Sequence, residues 1–94
     1  MKHYIIAKLK SGIDRNELVE PVAAIFEETL SIPGIRAVKV KPCCIERSNR
    51  YDLMIEIEMD PEALPAYDAS EPHKKWKETY GGMLEAKTIF DSED

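Results

Sequence analysis

The stretch Tyr51-Asp52-Leu53-Met54-Ile55-Glu56-Ile57-Glu58-Met59 decides the fold. Tyr51, Leu53, Ile55, Ile57 and Met59 fill one set of alternate positions, and Asp52, Met54, Glu56 and Glu58 the other. A side-chain period of two predicts a β-strand with one face on a core. Upstream lies a polar connection, Pro42 to Arg50, and before it Ile35 to Lys41, which reads as another strand carrying Val38 and Val40. Ile32-Pro33-Gly34 turns the chain into that strand.

Before the turn, Leu18, Val22, Ile25, Phe26 and Thr29 recur at helical spacing and form one apolar stripe. Asp14, three residues ahead of Glu17, predicts an N-cap and a helix starting near Arg15. Pro21 cannot donate to the carbonyl of Glu17, which predicts a kink or a late start. Residues 2–10 alternate again, with His3, Ile5, Ala7 and Leu9 on one side, and Ser11-Gly12 ends them. Downstream, Asp60-Pro61 opens a short helix, and Pro65 marks the element as short or as restarting there. Ser70 with Pro72 opens a further helix, which Gly81-Gly82 closes. Leu84, Ala86, Thr88 and Phe90 then alternate with Glu85, Lys87 and Ile89 in a last strand.

The order β-α-β-β-α-β is that of a ferredoxin-like α+β sandwich, an antiparallel sheet with helices on one face. The helices leave the other face open, and Tyr4, Ile6, Val38, Val40 and Met54 are assigned to it. Such an apolar patch asks for a partner, so homodimerisation through the sheet face is expected.

At 94 residues the chain is read as one domain, 1–94, with an acidic tail at 91–94. Hydrophobic residues at 44% and charged residues at 33% fit a soluble globular protein. The net charge is −5, but Asp91, Glu93 and Asp94 crowd the end, so the body is close to neutral. With no basic stripe, nucleic acid is not an expected partner. No apolar run is long enough for a membrane helix, the start is too polar for a signal peptide, and the cytoplasm is expected by default. The vicinal Cys43-Cys44 pair cannot staple distant loops, and it has no CxxC or HxxxH partner for zinc, so free thiols are expected. Gly81-Gly82 lacks the surroundings of a phosphate loop, and no metal or other cofactor is expected.

Two histidines carry what chemistry the sequence offers. His3 shares the face of Ile5 and Ala7 and should point at the helices. His73 falls in the first turn after Ser70, where the helix dipole disfavours imidazolium and keeps a general base neutral. Tyr67, six residues earlier, can bring a phenol to the same cavity and hydrogen-bond an enolate. By spacing alone, a lone histidine such as His73 is more often a cap or a packed polar residue than a catalyst, Tyr67 reads as core, and Trp76 and Tyr80 as the buried face of the helix. A hydrophobic ligand would lie against His3, Ile5, Ala7, Ile55 and Ile57.

Several segments stand in a familiar order: Lys2-His3 with the Ile/Leu strand ending at Lys10, Ile32-Pro33-Gly34-Ile35, Tyr51-Asp52-Leu53, Ala66-Tyr67 through Pro72-His73-Lys74-Lys75-Trp76, and Ile89-Phe90-Asp91. Together they resemble the stress-responsive dimeric A/B barrel (Dabb) domain family over nearly the whole chain. The resemblance implies a ferredoxin-like subunit that dimerises through its sheets into an α+β barrel. Many members of that family have no assigned reaction, and one plant member is a polyketide cyclase. Tyr67, His73 and His3 fall on that cyclase's pocket tyrosine and histidines. The family often has His-Pro-x-His where this chain has Ser70-Glu71-Pro72-His73, and Pro21, Val22 and Ile25 replace first-helix aromatics. A smaller pocket follows, lined by Val22, Ile25 and Trp76 with the strand residues. The implied functions are binding of a small hydrophobic molecule or a cofactor-free cyclase or lyase using His73 and Tyr67. A small monooxygenase- or isomerase-like barrel is a third.

Overall fold

The computed structural model describes residues 1–93. Strand β3 (Leu53–Met59) carries the alternation as predicted, with Leu53, Ile55, Ile57 and Met59 buried. It lies between β2 (Ile35–Pro42) and β1 (Lys2–Leu9), and β4 (Leu84–Ser92) completes an antiparallel sheet of order β2-β3-β1-β4. In the β1–β3 ladder His3 stands opposite Ile57, Ile5 opposite Ile55 and Ala7 opposite Leu53. β3 starts two residues later than the alternation suggests, although the Asp52 N–H still donates to the Ala7 carbonyl and its carbonyl accepts the Cys43 N–H, both at 2.8 Å. The Asp52 side chain ties this end to its surroundings. Its carboxylate accepts the Leu9 N–H at 2.7 Å and the Arg15 guanidinium at 3.2 Å, closing the end of β1 against the first helix.

That helix, α1, runs Arg15–Glu27 with Asp14 capping it by accepting the Asn16 N–H at 2.9 Å. Pro21 neither delays its start nor ends it, and Glu28–Ser31 tightens into a 3-10 turn. Val22, Ile25 and Phe26 are buried on one side of α1, and the buried Thr29 hydroxyl is satisfied by the Phe26 carbonyl at 2.5 Å. The second helical region is split as its prolines predict, into a 3-10 turn (Pro61–Ala63), α2 (Leu64–Asp68) and α3 (Glu71–Tyr80). The Ser70 hydroxyl accepts the His73 N–H at 3.3 Å and starts α3. Phe26 and Trp76 meet edge to face at 5.4 Å, joining α1 to α3 over the sheet. This is the ferredoxin-like α+β fold, with the core between one sheet face and the helices.

Two bulges correct the assignment of faces. Between Ile35 and Ala37 the β2 register shifts, so Val38 stands opposite Ile57 and Val40 opposite Ile55. Both valines therefore pack against the core and do not belong to the open face; Ala37, Lys39 and Lys41 do. An extra residue in one strand reverses every side chain beyond it. A second shift at Lys8/Leu9 puts Leu84 opposite Leu9 on the core side, while Ala86, Thr88 and Phe90 lie opposite Lys8, Ile6 and Tyr4. The apolar part of the open face is thus Tyr4, Ile6, Met54 and Phe90, with Tyr4 and Phe90 rings 6.2 Å apart and Phe90 59% exposed. Of the residues read as an acidic tail, Asp91 and Ser92 belong to β4, and Asp94 lies outside the described residues. Cys43 and Cys44 are free thiols.

Gly34 makes the turn into β2 at φ +94°, and its carbonyl accepts the Asp60 N–H at 2.8 Å. A Cβ there would stand 3.1 Å from that of Ala63. Gly34→Ala should therefore cost more than about 1 kcal/mol in urea denaturation. An unchanged midpoint would contradict this account of the turn.

Candidate functional site

The site gathers where α3 leaves the sheet. α3 leans on α1, and little of it reaches β4. The helix-side residues of that edge strand, Lys87, Ile89 and Asp91, consequently stay accessible, with Ile89 46% exposed. Between them and the helices lies a cavity of about 280 Å³. α2 supplies Tyr67 to it, the first turn of α3 supplies His73, and β1 supplies His3. The Tyr67 ring sits between the two imidazoles, 5.3 Å from His3 and 4.9 Å from His73.

Tyr67 is 1% exposed, and its hydroxyl has no hydrogen-bond partner among the described residues. Leaving such a group unsatisfied costs on the order of 1–3 kcal/mol. Burial first, and the Asp68 charge second, push the phenol pKa up, so Tyr67 remains a donor at neutral pH. His73 moves the other way. Burial lowers its pKa from 6.5, and Lys77 adds to this, with Lys87 a weaker contributor. A backbone hydrogen bond and the charge of Asp68 oppose the shift without cancelling it. The ring is therefore neutral at pH 7 and able to accept a proton. His3 is held differently, with Nδ1 2.5 Å from a carboxylate oxygen of Asp91 across the β1–β4 ladder. That contact fixes the ring and leaves Nε2 as its other polar edge.

Of the residues named from sequence, the cavity brings together His3, Ile5, Tyr67, His73 and Trp76. Ala7, Val22, Ile25, Ile55 and Ile57 do not line it; they are buried in the core between the sheet and the helices, Val22 and Ile25 on α1 itself. The cavity lies to one side of that core, at the β4 edge, where the sheet extends past its helical cover. Leu64, Asp68, Lys87, Ile89 and Asp91 complete the lining and escaped the sequence reading. The alternation of β4 groups Lys87 with Ile89, and the next residue in that phase is Asp91. Among the described residues no three His, Cys, Asp or Glu side chains are grouped to hold a metal ion, and no helix is long and apolar enough to cross a membrane.

No family model matches the chain. No curated protein sequence matches it either. Solved structures do. A dimeric protein of unknown function and ferredoxin-like fold from Bacteroides fragilis superposes with a TM-score of 0.79 at 15% identity, over 99% of this chain and 94% of that one. A dimeric ferredoxin-like protein of unknown function from Thermobifida fusca gives 0.77 at 14% identity, over 95% and 85%. The hydroxynitrile lyase of Passiflora edulis gives 0.72 at 13% identity, over 99% and 94%. These likenesses agree on the ferredoxin-like fold.

The electrostatics of His73 can be read directly. In an NMR titration its ring should titrate with a midpoint below 6.5. A midpoint at or above that value would contradict the burial described here.

Proposed function

We propose that this protein is a homodimer of the Dabb type that binds a small hydrophobic molecule through a carbonyl or hydroxyl group. The observation that carries this reading is the Tyr67 hydroxyl, buried and without a partner among the described residues, in a cavity beside His73 and His3. A ligand oxygen would satisfy that hydroxyl, and Ile5, Leu64, Ile89 and Trp76 would take the apolar part. Dimerisation is supported by Tyr4, Ile6, Met54 and Phe90 on the face the helices leave open, and by the dimeric state given for the Bacteroides and Thermobifida proteins. Two such faces packed together would bury the patch and form an α+β barrel. Sedimentation at micromolar concentration should give twice the subunit mass of 10.7 kDa, and Phe90→Glu should shift the protein toward monomer. A wild-type monomer would overturn the dimer.

A second reading is a cofactor-free lyase or cyclase. It is favoured by the neutral His73 next to a protonated Tyr67, and the Passiflora lyase shows that a protein with this fold can be a lyase. His73 would take a proton from the carbon next to a carbonyl, and Tyr67 would donate a hydrogen bond to the enolate oxygen that forms. His3, fixed by Asp91, would hold a polar end of the ligand.

One assay addresses both readings: a short methyl ketone such as 2-pentanone, followed by NMR in D₂O. Binding should perturb the signals of Tyr67 and His73, and Tyr67→Phe should weaken it about three- to tenfold. Catalysed exchange of the ketone's α-protons, reduced at least about a hundredfold in His73→Ala, would select the enzyme reading. Binding without exchange would select the receptor, and no binding would contradict both.

A further inference from the structure

The cavity at Tyr67 does not stand alone. A second, more open groove of about 340 Å³ lies further along β4, between the end of α3 and the start of the strand. The two share Trp76 and Lys87 as walls, so they adjoin at that pair. Small-molecule sites usually enclose about 300–1,000 Å³. The first chamber falls just short of that range, and the two together reach well into it. Their linings differ in kind. The first carries Tyr67, His73 and the His3–Asp91 pair, while the apolar side chains of the second are Trp76 and Leu84, with charge confined to Lys77, Glu85 and Lys87.

Gly81 borders the second groove and adds no side chain to it. Glycine at a helix end commonly supplies a positive φ, but Gly81 has φ −54° and ψ −38°, values open to any residue. Nor does it permit a close approach, since a Cβ built there meets nothing within 4 Å. The backbone needs no glycine at this position. A side chain at this position would stand at the border of the groove that Trp76 and Leu84 also line.

We propose that the ligand is elongated and amphiphilic: its oxygen-bearing head lies at Tyr67 and His73, and its apolar tail passes Trp76 and Lys87 into the groove that Gly81 borders. Gly81 is then the residue that sets tail length. The long stem of Lys87 can border the tail while its ammonium stays in water. This inference rests on the Tyr67 cavity being the binding site.

The test is a series of straight-chain 2-alkanones, butanone to undecanone, titrated calorimetrically into wild type, Gly81→Leu, Gly81→Ala and Tyr67→Phe. In wild type the affinity should rise with chain length, by up to about fourfold for each fully buried methylene. Gly81→Leu should bind butanone as wild type does and lose the gain for longer ketones. Gly81→Ala, adding one methyl to the same open space, should show an intermediate slope and guards against a misfolded leucine variant. Tyr67→Phe should weaken every ketone by one common factor and keep the wild-type slope. A full slope in both Gly81 variants would overturn the tail assignment while the head site stands. Identical binding by wild type and Tyr67→Phe would instead overturn the head site, and the inference with it.

Discussion

Two helices, α1 of 13 residues and α3 of 10, bury the helix side of β1, β2 and β3 but leave β4 largely uncovered. Everything chemically interesting in the molecule depends on that shortfall. Where the helices close down, Val22, Phe26, Ile55 and Ile57 have no measurable exposure and no ligand can enter. Where they stop, side chains that would otherwise be core become the wall of a cavity. Ile89 pairs with the fully packed Ile5 across the ladder, yet it remains about half exposed.

The same shortfall explains why polar groups can be stationed at the edge of an apolar core. Buried polar groups are ordinarily hydrogen-bonded. His3 meets that requirement through Asp91, which reaches it from the partly solvated strand. The Tyr67 hydroxyl does not meet it among the described residues. Burial acts on Tyr67 and on the neighbouring His73 in the direction each chemistry needs, keeping the phenol protonated and the His73 imidazole neutral. No strained backbone is involved, and no residue other than glycine takes a positive φ among the described residues.

The sequence makes the layers of this fold legible and the details of its faces less so. The period-two patterns of β1 and β3, the Asp14 and Ser70 caps and the restart of the helical region at Pro65, in the first turn of α2, are local properties, and the structure keeps them. The two bulges are not local. They are set by how neighbouring ladders register, so Val38 and Val40 can be placed in a strand from sequence but not on the correct side of it. The site divides in the same way. His3, Tyr67 and His73 stand out as residue types at suggestive positions, whereas Lys87 and Asp91 become visible only once β4 is paired to β1. The aliphatic residues Ile55 and Ile57 share the face of His3, but helix packing, which no periodicity encodes, closes the core over them.

The central claim is that the Tyr67 hydroxyl awaits a ligand oxygen. A crystal structure of the protein with 2-nonanone tests it most directly. The account predicts the ketone oxygen within about 2.5–3.0 Å of Tyr67 Oη, beside His73, with the alkyl chain running along β4 toward Gly81. The ketone lodged elsewhere, with Tyr67 Oη hydrogen-bonded to a protein group, would contradict it.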